Sequence, residues 1–310
     1  MRKERIIFAG TPEFAVPALR ALVADDYNVV AVLTQPDKPV GRKKIITAPP
    51  VKVVAESLNI PVLQPEKVNT KDSLKQIASY APDLLITAAY GQIFRSELLN
   101  LPHRGCINLH ASLLPAYRGA APVQRSIMNG DAVTGISIMH MDVGCDTGDV
   151  YCQRELIIDP AETAEDLLSR LSEVASDLLL EFLPVFFDSG VEATEQASLG
   201  EATHAARITN DDCPILWQRS ALDIHNQVRA LSPQPGAFAF YQNKKIKILK
   251  TRVSGQQWTG NSGEIVDNRK HLVIKCGEGA LIVDLLQPAG KQLQAASEVA
   301  HNYHLGTIFV

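Results

Sequence analysis

Cysteine is scarce and poorly placed for cross-linking. The chain has five, Cys106, Cys145, Cys152, Cys213 and Cys276, an odd number, scattered and without a C-x-x-C pair. That spacing argues against a disulfide framework or a zinc ribbon and fits a reducing cytosol. Long apolar runs are missing as well: none approaches the ~20 residues needed to span a bilayer. The charged residues 1–4 run directly into RIIFAG, which leaves no room for the apolar core and cleavage site of a signal peptide. Internal repeats are absent, and the turn GTPEF after the first apolar run carries neither G-x-G-x-x-G nor a Walker A pattern. It reads as a strand-to-helix turn with Pro12 near the first helical position. A strong excess of positive charge is also lacking, since 30 Lys and Arg stand against 34 Asp and Glu. A protein that simply coats nucleic acid is therefore not expected.

What is present is core material: 310 residues, 46% hydrophobic and 21% charged, enough for one large domain or, better, two. The charge is uneven. From Ala205 onward 12 basic residues face 8 acidic ones, a net of +4, which leaves −8 on the rest. A basic C-terminal third on an acidic body suits a polyanionic partner.

The first half alternates short apolar runs with helical patterns. RIIFAG (5–10), NVVAVLT (28–34), a short run near 61–63, DLLITAAYG (83–91) and GCINLH (105–110) read as buried strands. Helices are expected after residue 12 and around 50–58 and 71–80. Continuous apolar strands separated by helices predict a Rossmann-like, mostly parallel α/β sheet with helices on both faces. TGISIMHMD (134–142) and DVYCQRELII (149–158) should pair across a turn holding Asp146, and a long amphipathic helix should cover 163–187. Thr163 is its N-cap, with Asp166 at the capping-box position. The polar stretch 188–204 reads as a linker. Beyond it, a helix near 221–231 precedes five short alternating segments, which predict a smaller OB-like β-barrel. The expected division is therefore 1–187, 188–204 and 205–310.

Candidate chemistry centres on CINLHASLLPAYRG (106–119). Residues two apart on a strand share a face, so Asn108 and His110 point the same way, and a parallel sheet binds ligands beyond its carboxyl ends. From the strand alone, a structurally satisfied histidine is the commoner outcome. The Gly144/Gly148 loop, however, can bring Asp146 across to orient the imidazole. No good nucleophile accompanies them: Ser112 lacks a G-x-S-x-G setting, and Cys106 lies at the buried start of the strand. The trio suits direct transfer through a tetrahedral intermediate. HMDVGCDTGD (140–149) holds several potential ligands but matches neither an EF-hand nor a zinc spacing, so no metal is expected. QPDKPVGRKKIITAPP (35–50) is a long connection with Arg42, Lys43 and Lys44 in a proline-stiffened setting, read as a basic finger. A second basic segment at 243–252 places Lys244, Lys245 and Lys247 in the expected barrel. Either alone is a solvated charge run; together they fit a phosphate backbone.

INLHASLLPAYRGAAPVQRSIMNGD with MDVGCDTGD resembles the folate-dependent formyltransferases, and RIIFAGTPEFAVPAL, TQPDKPVGRKK, AAYGQI and LLQPAGK extend the resemblance along the chain. It implies that Asn108, His110 and Asp146 are catalytic and that Ser112, Leu113, Leu114 and Pro115 contact tetrahydrofolate. It also implies that Arg42, continued by Lys43 and Lys44, engages the tRNA acceptor end, and that the C-terminal barrel binds tRNA. The implied reaction carries the formyl group of 10-formyltetrahydrofolate to the α-amino group of initiator methionyl-tRNA, without a metal. The expected setting is a bacterial-type cytoplasm, with the protein a monomer and no membrane partner. The alternatives are a small acceptor, such as glycinamide ribonucleotide or an amino-sugar nucleotide, and a non-catalytic tRNA-binding module.

Overall fold

A computed structural model describes residues 2–41, 43–188 and 190–310. The chain forms two compact units. The first draws its described residues from 1–119, 133–157 and 168–205, and the second from 120–132, 158–167 and 206–310.

The first unit is built on a seven-stranded sheet: β1 (Arg5–Gly10), β2 (Asn28–Leu33), β3 (Val62–Leu63), β4 (Leu84–Ala88), β5 (Cys106–His110), β6 (Val133–His140) and β7 (Val150–Ile157). Its order is β7-β6-β5-β4-β1-β2-β3. The strands from β5 to β3 pair in parallel, whereas β6 runs antiparallel to both β5 and β7. Ile6, Ile7 and Phe8 on β1 and Leu84, Leu85 and Ile86 on β4 are fully buried, which is why these strands read as unbroken apolar runs. The order reverses between β1 and β4, so a crevice opens beyond their carboxyl ends. Thr11 Oγ1 donates to Tyr90 O across it at 2.8 Å. Among the crossover helices are α1 (Val16–Ala24), α2 (Pro50–Ser57) and α3 (Lys71–Ala78).

Two stretches are more ordered than their composition suggests. The connection 35–50 is not an irregular loop: Lys38–Val40 and Ile45–Thr47 pair as an antiparallel ribbon. Val40, Ile45 and Ile46 on it are exposed, so no core partner marks it as strand in the sequence. The polar stretch ahead of residue 205, which reads as a linker, is tied to the first unit. Thr194 and Val150 exchange two backbone bonds, and His204–Ala205 pairs with Arg118–Gly119.

In the second unit the helix α4 (Pro122–Asn129) packs with α6 (Ala221–Leu231). The long helix α5 (Ala164–Asp188), which comes between them in sequence, has its first residues in this unit and those from 168 onward in the first. Its N-terminus carries the expected reciprocal cap, with Asp166 N donating to Thr163 Oγ1 and Thr163 N to the Asp166 carboxylate. The Thr163 N–H and hydroxyl, both donating to the Asp166 carboxylate, hold that carboxyl below the usual carboxylate range. Side-chain hydrogen bonds tie 120–132 and 158–167 to this unit. Arg125 grips Asp212 through two bonds at 2.7 and 3.1 Å, and buried Arg229 donates to Asp159 O and Glu162 O.

The strands β8 (Ala237–Tyr241), β9 (Lys244–Val253), β10 (Ile265–Asp267), β11 (Leu272–Lys275) and β12 (Ala280–Pro288) follow the five expected segments. They form a curled antiparallel sheet in the order β8-β9-β12-β11-β10, with Gln294–Ala295 added to β12. Gln242 and Asn243, both at positive φ, make the tight β8–β9 turn. The chain end bridges the two outer strands: Ile265 N and Phe309 N bond to Thr307 O and Gly263 O, and Val310 exchanges two bonds with Phe240. No helix among the described residues is long and apolar enough to cross a membrane.

Candidate active site

Strand β5 ends at the crevice, and its alternation places Cys106, Asn108 and His110 on one face. Cys106 is buried there, which pushes its thiol up to about 12 and removes it as a nucleophile at neutral pH. Asn108 sits opposite Thr87 in the β4–β5 register. The Thr87 hydroxyl donates to Asn108 Oδ1 at 2.7 Å. The carboxamide N–H group is therefore the part turned outward, and Nδ2 lies 3.4 Å from Asp146 Oδ1.

His110 is 6% exposed and held from two sides. Nε2 lies 3.0 Å from Tyr117 O; a carbonyl only accepts, so this contact places a proton on Nε2. Nδ1 faces Asp146 Oδ1 at 3.7 Å. Asp146 comes from the 141–149 turn between β6 and β7 and adopts a left-handed φ of +56°, which Asp tolerates better than most residues. Its Oδ2 accepts from Gly119 N at 2.9 Å. Gly119 has a φ of +117°, and a Cβ there would lie 2.9 Å from Ala205 O, so only glycine brings that N–H to the carboxylate. At Gly148 a Cβ would meet His140 O at 2.0 Å; the turn closes this tightly only around a glycine.

The sequence brings other candidates to different places. Ser112, Leu114 and Pro115 are buried and Leu113 is half-buried. The loop is held by Ser137, whose Oγ donates to Ser112 O and accepts from Leu114 N, and by Gln153 Nε2 on Leu114 O. Lys43 and Lys44 are exposed at the turn of the 38–47 ribbon, while Arg42 lies outside the described residues. Lys244 and Lys245 are exposed on β9, with the Lys245 ammonium 3.4 Å from the Phe238 ring centroid. Lys247 is half-buried and donates to Pro235 O at 2.6 Å. In the 141–149 turn Asp142 is engaged by Thr147 Oγ1 and Gly144 N, and among the described residues no group of three or more His, Cys, Asp or Glu could hold a metal ion.

Thr87 and Gln196 touch this site and carry no sequence signal. Threonine is ordinary in a strand, and Gln196 stands in a polar stretch about fifty residues from the turn that it binds.

A carboxylate, an imidazole and a carboxamide at the carboxyl end of a parallel sheet, with a separate antiparallel β unit after it, define a group-transferring α/β enzyme. The family described as formyl transferase matches residues 4–183, and its C-terminal domain matches residues 207–304. A methionyl-tRNA formyltransferase from Geobacter sulfurreducens is 41% identical over 97% of this chain and 94% of its own length. One from Desulfotalea psychrophila is 43% identical over 93% of this chain and 89% of its own. Among solved structures, the sugar 3N-formyl transferase WlaRD, crystallised with dTDP and 5-N-formyl-THF, aligns with a TM-score of 0.69 at 20% identity. It covers 94% of this chain and all of its own, a likeness of fold. The chain belongs to the methionyl-tRNA formyltransferase family.

Proposed function

We propose that this chain transfers the formyl group of 10-formyltetrahydrofolate to the α-amino group of methionine on initiator methionyl-tRNA. The observation that carries this reading is the convergence of Asn108, His110 and Asp146 at the carboxyl end of β5, in a chain above 40% identical to relatives named for that activity. The neutral amine attacks the formyl carbon, a C–N bond forms, and the formyl oxygen takes up the displaced electron pair. The outward Asn108 amide donates to that oxyanion, and so does His110 Nε2–H when the substrate takes the place of Tyr117 O as its acceptor. Asp146 keeps the imidazole oriented and handles the proton leaving the amine. The carbonyl then re-forms as the bond to N10 breaks, and N10 departs protonated, as tetrahydrofolate. The His110–Asp146 separation of 3.7 Å shortens when substrate fills the crevice; catalytic hydrogen bonds in unliganded enzymes are often long.

Residues 112–115 form the folate wall, with half-buried Leu113 offering surface to the ligand. Arg42, Lys43 and Lys44 meet the acceptor end of the tRNA, and Lys244, Lys245 and Lys247 its backbone elsewhere. In this division of labour 1–187 is catalytic, 188–204 connects, and 205–310 binds tRNA. The protein works as a monomer in the cytoplasm, with no metal in its steps.

The test is purified protein with 10-formyltetrahydrofolate and charged initiator tRNA, with formyl-methionine measured. His110→Ala should lower turnover by at least about a hundredfold and leave tRNA affinity unchanged. Normal turnover in that variant removes His110 from the mechanism, and failure to bind the charged tRNA removes the acceptor.

A further inference from the structure

Arg118 has no evident partner in the sequence, and Gln196 no evident purpose. The structure joins them. Gln196 is only 2% exposed, yet each polar atom of its side chain is used. Its Oε1 accepts from Arg118 Nε at 2.9 Å, and its Nε2 donates to Asp146 O at 3.0 Å and Gly148 O at 2.7 Å. One buried carboxamide thus bridges two carbonyls of the turn that carries Asp146, at the point where the backbone is left-handed.

The bonds close a ring. The Asp146 carboxylate is tied to Gly119 N, its carbonyl to Gln196, and Gln196 to the guanidinium of Arg118, the residue before Gly119. His110 joins the same ring through Tyr117 O. Gln196 is itself anchored on both sides, by Thr194 on Val150 and by His204–Ala205 on Arg118–Gly119.

We infer that Gln196, held by Arg118, is a positioning residue that fixes the Asp146 carboxylate against His110. The inference rests on the proposed role of Asp146. Without the carboxamide, the turn keeps its glycines but loses the donor that fixes its height over β5. A misplacement of about 1 Å at a reacting group can cost on the order of a hundredfold in rate.

Gln196→Met keeps the volume and removes the hydrogen bonds. In the full-length protein kcat for formyl transfer should fall by about tenfold to a hundredfold. KM for 10-formyltetrahydrofolate and for charged initiator tRNA should stay within about twofold, the signature of an interaction that matters only at the reacting centre. Arg118→Met should give the same kcat loss, and Arg118→Lys, which can still donate to Gln196, should recover part of it. Asp146→Asn, assayed beside them, separates the two ideas: if it turns over normally, the proposed site is wrong. An inactive Asp146→Asn with wild-type kcat in Gln196→Met overturns the positioning role. Equal loss in kcat and both affinities also overturns it, because that would mark general loosening of the unit. Should Gln196→Met fail to fold, the half-buried Arg118 position gives the same reading, and wild-type kcat in Arg118→Met is then decisive against the inference.

Discussion

Thr87 decides which way Asn108 presents its amide. Its hydroxyl occupies the Asn108 oxygen, so Thr87→Val, which preserves shape, should free the carboxamide to flip. One neutral hydrogen bond is worth about 1 kcal/mol, and the expected result is a kcat lowered roughly five- to tenfold at unchanged KM for folate. Steady-state kinetics of that variant would show it; an unaltered kcat would mean the amide needs no such guide. At this scale the sequence exposes one part of the site and conceals another. Asn108 and His110 stand out because polar side chains two apart at the end of an apolar strand break the pattern. Asp146 is suggested by the glycines around it. Thr87 and Gln196 break no local pattern, and their significance comes only from what lies opposite them.

Elements show the same division, and two of them give measurable consequences. The cap of α5 is written in Thr163 and Asp166, and Thr163→Ala should cost about 1 kcal/mol in chemical denaturation. His225, on α6, meets Thr251 Oγ1 at 2.9 Å and Pro160 O at 3.2 Å, and burial holds its imidazole below its ordinary value. A depressed folded-state value means that the neutral ring is favoured in the native protein. The associated stability is complete above the unfolded value near 6.5 and is lost as pH falls from there toward the folded value. Acidification from pH 7 to about 5 should therefore lower the melting temperature of the wild type more than that of His225→Gln. Equal shifts would assign the acid sensitivity elsewhere. The chain end is the element least visible beforehand: GTIFV looks like an ordinary terminus, yet 307–310 bridges the edges of the curled sheet and buries Phe309. The alternating segments predict strands, but which edge a terminal segment will complete depends on the curvature of a sheet it does not itself form.

For the whole molecule, charge and connectivity give the predictions. Lys43→Glu with Lys44→Glu should raise KM for charged tRNA and lessen its salt dependence, by about one unit of log–log slope for each phosphate no longer neutralised. The folate KM should stay put; equal changes in both would make the ribbon structural. A fragment comprising residues 205–310 alone should melt well below the full chain, because it lacks 120–132 and 158–167. It would leave Asp212 without Arg125 and Arg229 without the carbonyls of Asp159 and Glu162. Circular dichroism on the fragment measures this directly. Sequence composition divides the protein near residue 205; packing recruits two earlier segments to the second unit.

The sequence by itself determined the parallel sheet, the five strands of the second unit, the capped long helix, and the face on which Asn108 and His110 lie. Each follows from a local rule: the period of apolar residues, the chemistry of a cap or turn, or the alternation of a strand. Tertiary structure alone decided that a glutamine near residue 200 would fasten the turn at 146, that the 35–50 connection would pair as a ribbon, and that the last four residues would bridge a sheet. Those outcomes join residues far apart in the chain through hydrogen bonds whose partners are set by the geometry of the folded backbone, and no local period records them.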